Sequence, residues 1–236
     1  MNRPQHLAAY LNLQSNNAAK CCESLVACGI SNVVLQTSKK NSLNNGPESA
    51  YKIRELLLSF NLKPVAITAT NGLNPLNVAF TASHYGVRDL IYDLRDGQDL
   101  NFVKSLAEHC QEYSMHLLVE SSTIKNHRIL DIARKCESYG AKWLYDPTHA
   151  WLHRTHLDIT SVQSCIGAIN LHDYDESLGF ITPGMGDCDL RGLIKKFGDS
   201  VWYFIEPIPG RKYGYGSTTQ QDEYVTFVQS AMALWS

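Results

Sequence analysis

Residues 115–120 read MHLLVE, 142–146 KWLYD, 168–172 AINLH and 201–206 VWYFIE. Each is a short, almost wholly apolar run that closes on one polar residue: Glu120, Asp146, His172 and Glu206. Continuous apolar runs of this length predict strands covered on both faces, as in a parallel sheet. Working back toward the amino terminus, the same kind of run recurs at Leu7–Leu13, Asn32–Thr37, Pro64–Thr68 and Asp89–Asp93. Segments with apolar residues three and four apart lie between and after them, and predict helices. They are Asn17–Cys28, Ala50–Asn61, Leu100–Tyr113, His127–Tyr139 and Glu223–Leu234, with weaker helices over Asn74–Tyr85 and Ser161–Ile166. Asp99 and Asn126 stand where N-caps belong, and Gly29, Gly86, Gly140 and Gly198 where helices should end. The strands alternate with helices and none reads as half of a hairpin.

Eight such units in 236 residues give about 30 residues each, the size of a βαβ repeat and of a compact (β/α)8 TIM barrel. An open doubly wound sheet is the competitor, but neither GxGxxG nor GxxxxGK[ST] occurs in the chain. No linker or low-complexity tract divides the sequence, so residues 1–236 are expected to form one barrel domain.

Composition narrows the function. A hydrophobic content of 44% excludes disorder, and 15 Gly and 8 Pro without a period exclude a fibrous chain. With 21 basic against 23 acidic residues, there is no long-range electrostatic case for nucleic acid or an acidic membrane surface. No run approaches the roughly 18 apolar residues that cross a bilayer. Seven cysteines without a CxxC pair indicate neither a zinc ribbon nor a redox motif. A cytoplasmic protein without membrane or nucleic-acid partners is expected.

In a barrel the carboxyl ends of the strands meet at one mouth, so Glu120, Asp146, His172 and Glu206 should converge there. Three carboxylates and an imidazole in a partly buried site call for a cation. Mixed oxygen and nitrogen donors suit one divalent metal ion, Mn²⁺, Mg²⁺, Co²⁺ or Zn²⁺. Asp146-Pro147-Thr148-His149 places a second imidazole just past the sixth strand, and Asp173 follows His172 directly. Asp173 is a candidate for orienting a ligand, and Pro183-Gly184-Met185-Gly186-Asp187-Cys188-Asp189-Leu190 reads as a flexible loop whose Asp187 or Asp189 caps a helix. The other strand ends offer Asn12, Gln36, Thr68 and Asn71, with Asp93 and Arg95. Amides and hydroxyls of this kind suit a hydroxylated substrate; Arg95 would read a carboxylate or phosphate, or pair with Asp93.

The segments LLVESS, WLYDPTHAWL, INLHDYDE…PGMGDCDL and YFIEPIPG resemble the sugar phosphate isomerase/epimerase family of xylose isomerase-like TIM barrels. That family includes ketose 3-epimerases, hydroxypyruvate isomerases, inosose-processing enzymes and endonuclease IV. The resemblance implies a metal quartet of Glu120, Asp146, His172 and Glu206, an acid/base pair of Glu120 and Glu206, and a substrate-binding His149. It implies an isomerase or epimerase that moves a proton beside a sugar carbonyl through a metal-stabilised enediolate, often as a homodimer or homotetramer. The alternatives are a dehydratase acting on an inosose-like substrate, an endonuclease IV-like hydrolase and a non-catalytic sugar-binding barrel. Two positions depart from the family: Leu178 stands where epimerases carry an arginine, and Gln36 where an acidic residue is common.

Overall fold

A computed structural model describes residues 5–12, 18–37, 47–69, 73–95, 98–121, 128–152, 158–206 and 220–235. Its strands, among the described residues, are β1 (Leu7–Asn12), β2 (Asn32–Gln36), β3 (Lys63–Ala69), β4 (Asp89–Asp93) and β5 (His116–Glu120), followed by β6 (Lys142–Tyr145), β7 (Ile166–Asn170), β8 (Asp173–Asp175), β9 (Gly179–Ile181) and β10 (Trp202–Ile205). All but β8 and β9 close into a parallel barrel in the order β1-β10-β7-β6-β5-β4-β3-β2. Helices α1 (Ala18–Ala27), α2 (Pro47–Ser59), α3 (Pro75–Ser83), α4 (Leu100–Glu112), α5 (Ile129–Ser138), α6 (Pro147–Leu152), α7 (Leu190–Phe197) and α8 (Gln220–Met232) fall between and after the strands. A 3-10 segment, Ile159–Cys165, leads into β7.

The expected barrel forms, and the reason is visible in two layers of apolar side chains. Ala8, Tyr10, Val34, Ala66, Ile91, Leu118, Leu144, Ala168 and Phe204 pack together as the barrel interior. Alanines there leave room for the rings of Tyr10 and Phe204, which meet edge to face at 6.1 Å, so the interior fills without a pore. The intervening strand residues, among them Leu117, Val119, Trp143, Ile169 and Tyr203, bury themselves with the helices in a second, outer core. Strand side chains alternate with a period of two. The interior residues Leu118, Leu144, Ala168 and Phe204 therefore fix the facing of Glu120, Asp146, Asn170, His172 and Glu206 further along.

Helix ends follow local chemistry. The Asp99 carboxylate accepts from Asn101 N–H at 2.8 Å at the start of α4, and Asp189 accepts from Gly192 N–H at 2.9 Å at the start of α7. Gly86 and Gly140 take φ of 70° and 79°, the left-handed conformation that ends a helix at little cost only for glycine. Asn126 lies outside the described residues. Asn74–Tyr85, read as a weaker helix, contains the regular α3, because Asn74 caps Leu76 N–H at 3.0 Å and Pro75 fixes the first turn.

One element corrects the sequence reading. β8 and β9 pair antiparallel, with Tyr174 opposite Phe180, although no hairpin was expected. Three-residue strands carry too little pattern to announce themselves, and the turn is made by Asp175, whose carboxylate accepts N–H from Ser177 and Leu178, each at 2.8 Å.

The opposite, amino-terminal end of the strands opens on a recess of about 830 Å³ lined in part by Asp89, His116, Lys142, Gly167 and Trp202. Charged groups there are matched with each other. His116 lies 3.1 Å from Asp89 and Lys142 3.0 Å from Glu137, as expected for a face that contributes stability. Strand β7 passes this point only as glycine: a Cβ on Gly167 would meet Lys142 Cβ at 2.7 Å and Leu118 Cδ2 at 2.9 Å. Gly167→Ala should destabilise the barrel by about 1–3 kcal/mol through overpacking, read as a lower urea midpoint with an unchanged slope.

Candidate active site

At the carboxyl-terminal mouth, β5, β6, β7 and β10 are successive staves of the barrel, so their polar ends are neighbours. Asp146 is buried and serves two partners. Its Oδ1 accepts Thr148 N–H at 2.8 Å and Thr148 O–H at 2.7 Å, and its Oδ2 faces His172 Nδ1 at 2.8 Å. His172, also buried, reaches across to the last strand. Its Nε2 lies 3.0 Å from the Glu206 carbonyl oxygen and 3.5 Å from Glu206 Oε2. Gln36 of β2 donates from Nε2 to Glu206 Oε1 at 3.0 Å, and Asn170 places Nδ2 3.5 Å from Glu120 Oε1.

The electrostatics describe an acidic mouth in which His172 opposes the carboxylates. Burial, then the charges of Glu206, Asp146 and Asp93, hold the Glu120 carboxyl well above its ordinary range. Burial also raises Glu206, with Asp146 adding to the shift and His172 and Gln36 opposing it. Burial alone would raise Asp146 too, but the charge and hydrogen bond of His172 reverse the sign and pull it below the usual carboxylate range. For His172 burial favours the neutral ring, yet Asp146, Glu206 and Glu120 overcome it and lift the group to about 9. An imidazolium thus supplies the positive charge, with both ring nitrogens facing acceptors.

Whether this donor set suits a divalent cation can be judged from its chemistry. Three carboxylates and one imidazole meet at the mouth, and beneath them the buried Oδ1 of Asn170 has no hydrogen-bond partner. Surplus acceptors around repelling carboxylates fit a cation. Among the described residues no group of three His, Cys, Asp or Glu side chains stands ready as a cage; the ring of His172 lies between Asp146 and Glu206. The donors match in kind, and one ring nitrogen of His172 would have to give up its proton and its present acceptor, Asp146 or Glu206, for the ring to serve as a ligand.

The other expected site residues fall unevenly. His149, in α6, lines a small crevice with Ser121, Tyr145 and Asp146. The Nε2 group of Gln36 is committed to Glu206 rather than to a substrate hydroxyl. Arg95 is half exposed and sits 3.5 Å from Asp93, so its charge is already matched. Asp173 is fully buried, and its oxygens accept N–H from Tyr174, Gly184, Gly186 and Cys188 at 2.8–3.1 Å. The acceptors of this candidate for orienting a ligand are taken by the backbone of the loop between Pro183 and Leu190, which the sequence reads as flexible. Asn12 ends β1, and its side chain lies outside the described set. Leu178 is 72% exposed at the hairpin turn.

Sequence reasoning missed Tyr10, Asn170, Tyr174 and Phe180. Tyr10 is buried, and its hydroxyl is held protonated by burial and by Glu206, Glu120 and Asp146. It was legible in principle, since strand alternation puts Tyr10 and Asn170 one inward step before Asn12 and His172. Tyr174 and Phe180 belong to the hairpin and form a row of rings with Trp151 and His172. The centroid distances are 4.7 Å for Trp151–Tyr174, 5.5 Å for Tyr174–Phe180 and 6.1 Å for Phe180–His172.

The chain is similar in structure to solved TIM barrels. A xylose isomerase domain protein from Planctomyces limnophilus superposes with a TM-score of 0.76 at 12% identity, over 98% of this chain and 96% of that one. D-psicose 3-epimerase from Clostridium cellulolyticum H10, solved with D-tagatose, gives 0.69 at 9% identity, over 98% and 97%. A xylose isomerase-like TIM barrel protein from Mycobacterium smegmatis, in complex with magnesium, gives 0.64 at 12% identity, over 98% of each chain. No protein-family model matches the sequence, and no curated protein does either. The fold is that of the xylose isomerase-like TIM barrels, and at these identities the likeness extends to the fold alone.

The raised value of His172 has a stability consequence with a definite sign. A group lifted from 6.5 to about 9 on folding contributes its full stabilisation below pH 6.5 and loses it as pH rises through about 9. In chelator-treated protein the melting temperature should fall across that window, and His172→Gln should flatten the fall. A wild-type profile without slope there would contradict the imidazolium assignment.

Proposed function

We propose that this chain is a divalent-metal-dependent isomerase or epimerase of sugars or related keto-polyols, working by proton transfer beside a carbonyl. The observation that carries the reading is that Glu120, Asp146, His172 and Glu206 end or follow four successive barrel strands at one mouth, with His172 2.8 Å from Asp146 and 3.5 Å from the Glu206 carboxylate. The fold it shares with D-psicose 3-epimerase and with a magnesium-binding barrel supports the same reading.

Moving a proton between carbons next to a carbonyl means removing a weakly acidic C–H. A divalent cation held by Glu120, Asp146, His172 and Glu206 would supply the Lewis acidity that stabilises charge on the substrate oxygens. The chain itself supplies the proton carriers. Glu120 ends β5 and Glu206 follows β10, with β7 and β6 between those strands, a separation that would let them flank a ligand in the mouth. A carboxyl lifted toward neutrality holds a proton to give at ordinary pH, where an ordinary one is already ionised, and is the stronger base once it has given it up. Gln36 steadies Glu206 by its 3.0 Å hydrogen bond, and Asn170 faces Glu120 from the floor. Asp146, held by both donors of Thr148, keeps a fixed carboxylate against His172. His149, beside Asp146, is positioned to meet a substrate hydroxyl.

The test is a screen of D-fructose, D-tagatose, D-psicose, inososes and hydroxypyruvate with added Mn²⁺ or Co²⁺. Turnover should vanish on chelation and return with metal. Glu120→Gln and Glu206→Gln should each fold normally and lose about 10²-fold or more in kcat, the scale of acid–base catalysis. Full activity of both variants on an identified substrate would refute the mechanism.

A further inference from the structure

The chain between His172 and α7 leaves the barrel, forms the β8–β9 hairpin, and returns through residues 182–189. Loops that overhang a barrel mouth often close on their ligand, and the glycines at 184 and 186 suggested flexibility. The hydrogen bonds describe the opposite. The buried Asp173 carboxylate receives Gly184 N–H at 2.8 Å and Gly186 N–H at 2.9 Å on Oδ2. Its Oδ1 receives Tyr174 N–H at 2.9 Å and Cys188 N–H at 3.1 Å. The return segment is further tied by Asp187 N–H to the Tyr174 carbonyl at 2.8 Å. Charge-assisted bonds from backbone N–H groups to a buried carboxylate are among the stronger hydrogen bonds in a protein.

The glycines fit this arrangement sterically. A Cβ at Gly186 would meet Asp173 Oδ1 at 2.3 Å and the Tyr174 carbonyl oxygen at 2.5 Å. Gly184 has φ of 85°, a conformation other residues rarely adopt. They allow close approach to the carboxylate rather than movement. The excursion holds Tyr174 and Phe180 in the row of rings that runs from Trp151 to His172, so its position determines one wall of the mouth.

The geometry points to Asp173 as a positioning residue that locks segment 173–188 into a preformed aromatic wall beside His172. The wall stands in place before a ligand arrives and does not close over it. For the effect on substrate seating this inference rests on the sugar-isomerase reading; the locking itself does not.

Hydrogen exchange on the full-length, ligand-free protein tests the locking. In the wild type the amides of Gly184, Gly186 and Cys188 should be protected, and in Asp173→Asn, which turns one acceptor oxygen into a donor, they should exchange at least tenfold faster. Gly186→Ala disturbs the same contact from the loop side and should give the same loss, and the double variant should add little to either single one. The variants should bind Mn²⁺ within threefold of the wild type, because the four proposed ligands stand on the barrel. With whichever screened ketose the wild type turns over, KM should rise about tenfold while kcat changes less than threefold.

Wild-type exchange rates in a folded Asp173→Asn would overturn the proposal. So would unprotected loop amides in the wild type, or loss of Mn²⁺ affinity as large as that of His172→Ala, which would place the effect at the metal ligand. If Asp173→Asn does not fold, Gly186→Ala decides by the same measurements. If no ketose is turned over by the wild type, the sugar-isomerase reading fails on its own, while the exchange and Mn²⁺ measurements still decide whether Asp173 locks the wall.

Discussion

Closure of eight parallel strands into one barrel is the constraint on which the site depends. A strand can send only alternate side chains inward, and in a closed parallel barrel all inward ends emerge at the same mouth. Once Leu118, Leu144, Ala168 and Phe204 occupy the interior, the polar residues that continue the inward set come together. The apolar interior and the acidic mouth are thus one pattern read at two depths, and changing the facing of a strand would move both.

The acidic mouth creates its own difficulty. Carboxylates cannot gather in a poorly solvated place without a positive partner. Within the chain that partner is His172, with Asp146 on one ring nitrogen and Glu206 on the other. The arrangement distinguishes the carboxyls: Asp146 is held ionised, whereas Glu120 is driven toward neutrality. A fixed carboxylate and a readily protonated one differ in what they do, and environment rather than residue type separates them. The opposite end of the barrel contrasts with this. Among the described residues there, Asp89 lies 3.1 Å from His116 and Lys142 3.0 Å from Glu137.

The excursion after β7 shows how a side chain can set backbone structure at a distance in sequence. Asp173 organises N–H groups up to Cys188, and two of its four donors are glycine amides. Outward of it, the row of rings from Trp151 through Tyr174 and Phe180 ends on His172.

Much of this was legible in the sequence. The apolar runs, the helical spacing between them and the absence of phosphate-loop motifs led to the barrel, because burial on both faces leaves an unmistakable composition in each strand. Glu120, Asp146, His172 and Glu206 could be picked out as strand-end residues on the same ground, as could the helix-ending glycines and the Asp189 cap. What only the tertiary structure decided were pairings between residues far apart in the chain. Gln36 meets Glu206, Tyr10 lies beneath the carboxylates, and Asp173 turns away from the mouth to gather backbone N–H groups. Local pattern records whether a residue is buried and which way its strand faces. Which partner a buried polar group finds depends on the closure of the barrel and the path of its loops, and neither is written within a few residues of that group.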